Sequence, residues 1–138
     1  MSEAKPIFTK DACPPISTPH AIYVSGQLPA LADGTLPPGS IGYHASLCIQ
    51  NISTILKKAG SDLSRVLKMT VFLTDMGDFK EVNEEYEKHF GKTKPARSCV
   101  AVKELPKGVK IEMECVALPH VPRVQSGLVS GLLGQSEH

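Results

Sequence analysis

The chain has 138 residues, with 41% hydrophobic and 21% charged side chains and a formal net charge of +1. That composition is too apolar for a disordered chain and matches one globular domain. The near-neutral balance argues against a dedicated nucleic-acid binder, and no apolar run approaches the length needed to span a bilayer.

Residues 1–20 hold Pro6, Pro14, Pro15 and Pro19 without periodicity and read as an irregular arm. An acid near the start and the lack of an apolar stretch after it argue against a secretory leader. Ala21–Ser25 is β-branched and aromatic and reads as a short strand ended by Gly26. Residues 28–39, with Pro29, Gly34, Pro37, Pro38 and Gly39, read as a loop.

Ser40 suits the N-cap of a helix. Ile41, Ala45, Cys48, Ile52, Ile55, Leu56 and Ala59 recur at spacings of three and four and form one apolar stripe. Lys57 and Lys58 favour its C-terminal end, and Gly60 fits the position beyond it. In residues 66–73, Leu67, Met69, Val71 and Leu73 alternate with polar positions, the pattern of a half-buried strand. A second helix is expected from Asp78, with Glu81 completing a capping-box variant and Phe79, Val82, Tyr86 and Phe90 forming the buried stripe.

Arg97–Val102 and Val109–Leu118 read as strands joined by a turn at Lys103–Gly108, which predicts a terminal hairpin. The order β, α, β, α, β, β predicts an α+β fold with two helices on one face of a single sheet. The expected organisation is an arm at 1–20, a domain at 21–118 and a tail at 119–138. Leu128, Val129, Leu132 and Leu133 of the tail either cover exposed sheet or belong to a loose end.

No phosphate loop, dinucleotide fingerprint, nucleophile elbow or metal motif is present. The five histidines are scattered, and Cys13, Cys48, Cys99 and Cys115 form no Cys-x-x-Cys pair, so they read as reduced thiols of an intracellular protein. The predicted hairpin would bring Arg97 opposite or nearly opposite Glu112. In one register their Cβ atoms would lie roughly 5 Å apart on one face. An arginine fork can grip a carboxylate and a neighbouring glutamate can move a proton of a bound water. From the spacing alone, a plain cross-strand ion pair is the favoured reading. Glu114 shares the polar face with Glu112. Cys99 shares the face of Arg97, either as a packed cysteine or as a nucleophile, and Asn83 is either solvent-exposed or aimed at a site.

Ser25-Gly26-Gln27-Leu28-Pro29, Val71-Phe72-Leu73-Thr74-Asp75-Met76, Val82-Asn83-x-x-Tyr86, Pro95-Ala96-Arg97-Ser98-Cys99-Val100-Ala101-Val102 and Leu105–Glu114 together resemble the RidA family, also called YjgF or L-PSP, with wording closest to fungal-type members. The resemblance spans about Ile22 to Ala117. It implies a chorismate-mutase-like α+β fold and a homotrimer with clefts between neighbouring chains. It also implies cofactor-free, metal-free hydrolysis of reactive 2-imino acids, such as 2-iminobutanoate and 2-iminopropanoate, and their enamine tautomers to 2-keto acids and ammonia.

In that reading Arg97 binds the substrate carboxylate, and Glu112 activates water and helps protonate the departing nitrogen. Ser25 and Asn83 line the cleft, and Cys99 offers main-chain groups. The expected compartment is the cytoplasm, with the mitochondrion as the alternative. Rival readings are an L-PSP-type endoribonuclease, which the charge does not support, and an impaired member that binds a metabolite or a protein.

Family members begin with a strand carrying a Gly-Pro-Tyr-Ser-Gln-Ala-like segment and a turn. Here Pro14–His20 runs almost directly into Ala21–Gly26, so that strand is expected to be shortened or missing. Its tyrosine has no clear counterpart. Thr18 or His20 falls nearest, and Tyr23 lies inside the next strand.

Overall fold

A computed structural model describes residues 5–6 and 15–120. Its longest element, helix α1 (Ile41–Lys58), forms as its pattern dictates. The Ser40 hydroxyl accepts from the Tyr43 amide at 3.1 Å, and Gly60 takes a φ of 76° just past the end, a conformation that suits glycine. The stripe of Ala45, Cys48, Ile52 and Leu56 is fully buried.

Helix α2 (Phe79–Phe90) buries Val82, Tyr86 and Phe90 as expected. The expected capping box does not form. Asp78 makes no side-chain cap, and Glu81 instead accepts from the Gly42 amide of α1 at 3.2 Å. A 3-10 turn, Met76–Asp78, precedes the helix, and Asp75 caps that turn through the Gly77 amide. Glu81 is thereby free to tie the second helix to the start of the first.

The strands are β1 (Lys5–Pro6), β2 (Ile16–Ser17), β3 (Ile22–Gln27), β4 (Val66–Leu73), β5 (Ala96–Ala101) and β6 (Ile111–Ala117). They form one sheet in the order β1-β2-β3-β6-β4-β5. Ile22 and Val24 of β3, Met69, Val71 and Leu73 of β4, and the Ile111, Met113, Cys115 and Ala117 row of β6 face the two helices. The fold is thus the expected α+β layer with both helices on one face. Among the described residues no helix is long and apolar enough to cross a membrane.

Two expectations need correction. The arm at 1–20 is not wholly irregular, because β1 pairs with β2 and β2 pairs antiparallel with β3. Among the described residues this region contributes two two-residue strands, β1 and β2, at the sheet edge. Second, β5 and β6 do not form a hairpin. β5 lies at the sheet edge, parallel to β4, and β6 inserts between β3 and β4, antiparallel to both.

The physical reason is the crossover. α2 carries the chain from the end of β4 back to its start, so β5 runs parallel to β4. The Pro106–Gly108 turn, with Lys107 and Gly108 at positive φ, then redirects the chain to β6. The row from Ile111 to Ala117 is almost completely buried and belongs in a central strand, whereas β5 is mostly exposed and suits an edge.

β3 runs beyond its expected end, through Gly26 to Gln27. Val24 pairs with Cys115 and Gln27 with Met113, so Ser25 and Gly26 form a bulge. The described chain ends where the 60–65 turn holds it. The Ser61 hydroxyl donates to the Leu118 carbonyl at 2.6 Å, and the His120 amide donates to the Gly60 carbonyl at 3.0 Å. The four tail residues expected to cover sheet or hang loose lie outside the described residues.

Candidate active site

Arg97 sits opposite Met69 in the β4–β5 ladder, so its side chain rises toward the helices. There α2 presents Phe79, Asn83 and Tyr86, spaced four and three residues apart on one stripe. The Arg97 Nη1 donates to Asn83 Oδ1 at 2.6 Å. Its guanidinium carbon lies 4.6 Å from the Tyr86 ring centroid and 5.5 Å from that of Phe79. A charge-assisted hydrogen bond fixes one nitrogen, and the two rings fix the plane. Among the described residues the ion pairs are Lys88–Glu85, His89–Glu85 and His120–Asp62, so no carboxylate neutralises Arg97. A held guanidinium without an anionic partner is suited to bind one.

Tyr86 is 4% exposed, and its hydroxyl has no hydrogen-bond partner among the described residues. Burial pushes its phenol above the ordinary range, against the opposing charge of Arg97. Cys99 lies on the same side of β5, packed against the core, and burial likewise pushes its thiol up while Arg97 opposes this. A thiol held protonated is a poor nucleophile, which favours the packed reading of Cys99.

Glu112 lies on the other side of the sheet. It pairs with Phe72, and on this open side its neighbours are the row of Glu114 and Val116 and the row of Lys68, Thr70 and Phe72. Its carboxyl rests over the bulge. A Cβ built on Gly26 would stand 1.8 Å from Glu112 Oε1 and 2.7 Å from its carboxyl carbon. Burial holds the Glu112 carboxyl above the ordinary carboxylate range, and the charge of Glu114 adds to this. A carboxyl whose proton affinity is raised in this way is a better proton acceptor than an ordinary glutamate.

Ser25 lines an open-face cavity of about 260 Å³ with Tyr23, Lys68, Thr70 and Glu114. Of the two residues that fall nearest the position of the family's tyrosine, Thr18 is occupied within its own turn, accepting from the Ala21 amide at 3.0 Å, and His20 is exposed, its amide donating to the Thr18 hydroxyl at 3.2 Å. Tyr23 stands in the Ser25 cavity at 53% exposure.

The sequence-expected pairing of Arg97 with Glu112 across a hairpin is not formed. Arg97 stands opposite Met69 of β4 and Glu112 opposite Phe72, with β4 between them. Two strand spacings and three residues of rise separate their Cα atoms by roughly 14 Å, on opposite faces. Arg97, Asn83 and Cys99 form one half-site against α2, and Ser25 and Glu112 form another on the open face. The sequence reading assigned Phe79 and Tyr86 to the core and missed that they hold Arg97. The signal was their spacing with Asn83.

Residues 14–119 match the Endoribonuclease L-PSP family, and the chain belongs to that family, the RidA or YjgF family of the sequence resemblance. It is 48% identical over 98 residues to Protein HMF1 of Saccharomyces cerevisiae, covering 71% of this chain and 76% of that one. To Protein MMF1, mitochondrial, of the same yeast it is 42% identical over 121 residues, 82% and 83% of the two chains. A protein of Bos taurus named 2-iminobutanoate/2-iminopropanoate deaminase is 44% identical over 100 residues, 72% of this chain and 73% of that one. The crystal structure of E. coli TdcF with bound serine superposes with a TM-score of 0.72 at 33% identity, covering 86% of this chain and 97% of that one.

Proposed function

We propose that the protein hydrolyses 2-imino acids to 2-keto acids and ammonia without a cofactor, at clefts between copies of the chain. The observation that carries this reading is the Arg97 guanidinium, fixed by Asn83, Phe79 and Tyr86 yet without a carboxylate partner among the described residues. The 44% identical bovine deaminase and the serine-bound relative support a small substrate bearing a carboxylate.

Because the two half-sites lie on opposite faces, a second copy has to bring its Glu112 to this chain's Arg97. The open face supports such assembly, since Ile16, Tyr23 and Val100 stand 53%, 53% and 44% exposed there. A homotrimer closes such a head-to-tail arrangement.

Arg97 of one chain grips the substrate carboxylate through the nitrogens that Asn83 leaves open. Glu112 of the neighbour takes a proton from water as the water oxygen bonds to the imine carbon. It returns that proton to the nitrogen to give a carbinolamine, then takes the hydroxyl proton and passes it to the same nitrogen as the C–N bond breaks, so ammonia departs and the C–O bond becomes the keto carbonyl. The imine carbon is already electrophilic, so no covalent nucleophile is needed. Ser25 borders the Glu112 side, and the main chain at Cys99 borders the Arg97 side.

Threonine dehydratase supplies 2-iminobutanoate for the test. Added protein should speed 2-ketobutyrate release, and Arg97→Ala and Glu112→Gln should each abolish the gain. Light scattering run alongside should report three subunits. No acceleration, or full activity in a monomer, overturns the reading.

A further inference from the structure

We propose that Gly26 is a positioning residue for Glu112, its missing side chain forming the seat in which that carboxyl rests. The inference rests on the proposed reaction and names what aims its base.

The glycine is not there for its backbone. Gly34, Gly39, Gly60 and Gly108 have positive φ, and Gly26 does not, so an L side chain can adopt its dihedral angles. What excludes a side chain is Glu112 itself. A Cβ at position 26 would meet Oε1 at 1.8 Å, the carboxyl carbon at 2.7 Å and Cγ at 3.1 Å. All three atoms belong to one flexible side chain, so an alanine would displace the carboxyl rather than break the sheet.

The seat is braced from behind. Gln27 is 6% exposed, and its Nε2 donates to the Ser25 carbonyl at 3.0 Å, which fixes the bulge at the residue before Gly26. The bulge shifts the β3–β6 register between Val24 and Gln27, opposite Met113–Cys115 and so directly beside Glu112. Three consecutive residues therefore act together. Ser25 offers its carbonyl to the brace, Gly26 makes the hollow, and Gln27 holds the hollow in shape. The same closeness withdraws the carboxyl from water and helps to keep its proton, as a group that alternates between base and acid requires.

Gly26→Ala is the direct test, with assembly checked by light scattering. The expected result is a fall in kcat of about 10- to 100-fold with KM changed less than about threefold, because the base is displaced while the carboxylate grip is untouched. The acid limb of the pH–rate profile should move down toward the ordinary glutamate range. Adding Gly26→Ala to Glu112→Gln should cost nothing further. Gln27→Met, which loses only the brace, should move kcat and the acid limb in the same direction by less, and it serves should the alanine variant fail to fold.

A rise in KM with kcat unchanged in Gly26→Ala would overturn the proposal, because Gly26 would then be making room for substrate. Carboxyl NMR of glutamate-labelled protein gives a readout without turnover. The Glu112 titration should shift downward in Gly26→Ala, or in Gln27→Met if that is the variant that folds. If the wild type does not turn over imine, the proposed reaction fails while this titration still decides the seat. An unmoved titration sinks the seat whatever the activity.

Discussion

Removing the Asn83 amide should weaken substrate binding while leaving the chemical step nearly intact. Asn83 holds Arg97 by a 2.6 Å hydrogen bond to a charged donor. Such bonds contribute about 1.5–3 kcal/mol when formed, but both partners here are only partly buried and the Tyr86 and Phe79 rings remain to hold the guanidinium plane. The net loss in Asn83→Ala should therefore be about 1.4 kcal/mol, a tenfold rise in KM. Arg97→Ala removes the whole carboxylate grip, and the usual range of about 2–5 kcal/mol corresponds to at least about 30-fold. The melting temperature of Asn83→Ala should fall by less than about 4 °C, since a loss of that order at a partly exposed site is small against the fold. The dehydratase-coupled assay with varied substrate supply separates KM from kcat. If Asn83→Ala lowers kcat at constant KM, or matches Arg97→Ala, then Asn83 acts on the reacting atoms and its role as a holder of Arg97 is refuted.

The Tyr86 hydroxyl is buried without a partner among the described residues, and such a group typically costs about 1–3 kcal/mol. Tyr86→Phe keeps the ring over Arg97 and should raise the melting temperature, whereas a lowered one in a thermal melt would show that the hydroxyl has a partner. Glu112 has its folded-state pKa raised, so folding retains its proton and stability falls as pH rises through that value. Glu112→Gln should flatten this slope in denaturant titrations run from pH 4 to 8, and a steeper slope would reverse the assigned sign. The acid limb of kcat/KM should correspondingly lie above the ordinary glutamate range. Burial pushes Cys115 up to about 12 and Cys48 higher still, so iodoacetamide followed by peptide mass mapping should label Cys99 well before either of them. Equal labelling of Cys48 would contradict the packed core.

The elements that could be read from the chain were those whose sequence signal is local. The α1 stripe, its Ser40 cap and Gly60, the alternation of β6 and that of β4 from Met69 on all depend on neighbours within a turn or a strand, while Leu67, expected on the buried face, is 48% exposed because the register shifts between Val66 and Lys68. What could not be read was partner choice. Both β5 and β6 are extended segments close together in sequence, and local pattern favours the hairpin. Only the demand that the Ile111–Ala117 row be covered, together with the crossover through α2, puts β6 in the centre and β5 at the edge. That one exchange moves Arg97 and Glu112 to opposite faces. The bulge was likewise hidden, because Gly26 looked like a strand terminator and its contact with Glu112 spans more than eighty positions. Asp78 and Glu81 looked like a capping box until the partner helix offered Gly42 as a better use for the glutamate.

The separation of the half-sites says something about why activity and assembly should be inseparable in this chain. A guanidinium and a carboxyl placed side by side in one chain would neutralise each other, as the sequence-expected ion pair would have done. Placed on opposite faces, Arg97 keeps its affinity for an outside carboxylate and Glu112 keeps its raised pKa, which a nearby cation would lower. Each half is then held in its working state by its own surroundings, the one by an aromatic and amide cradle, the other by a glycine hollow. In the proposed reaction they would meet only across an interface, with substrate and water between them. The two-residue β2 bears on the same point, since its Ile16 and the facing Tyr23 stand exposed beside Ser25. Tyr23 then becomes the aromatic hydroxyl nearest Ser25 on that wall, and Tyr23→Phe measures what the wall contributes. With Arg97 and Glu112 intact, its loss should raise KM a few-fold at most, because a hydroxyl more than half exposed to water is replaced by water at little cost. A fall in kcat comparable to that of Glu112→Gln would instead make Tyr23 part of the proton path.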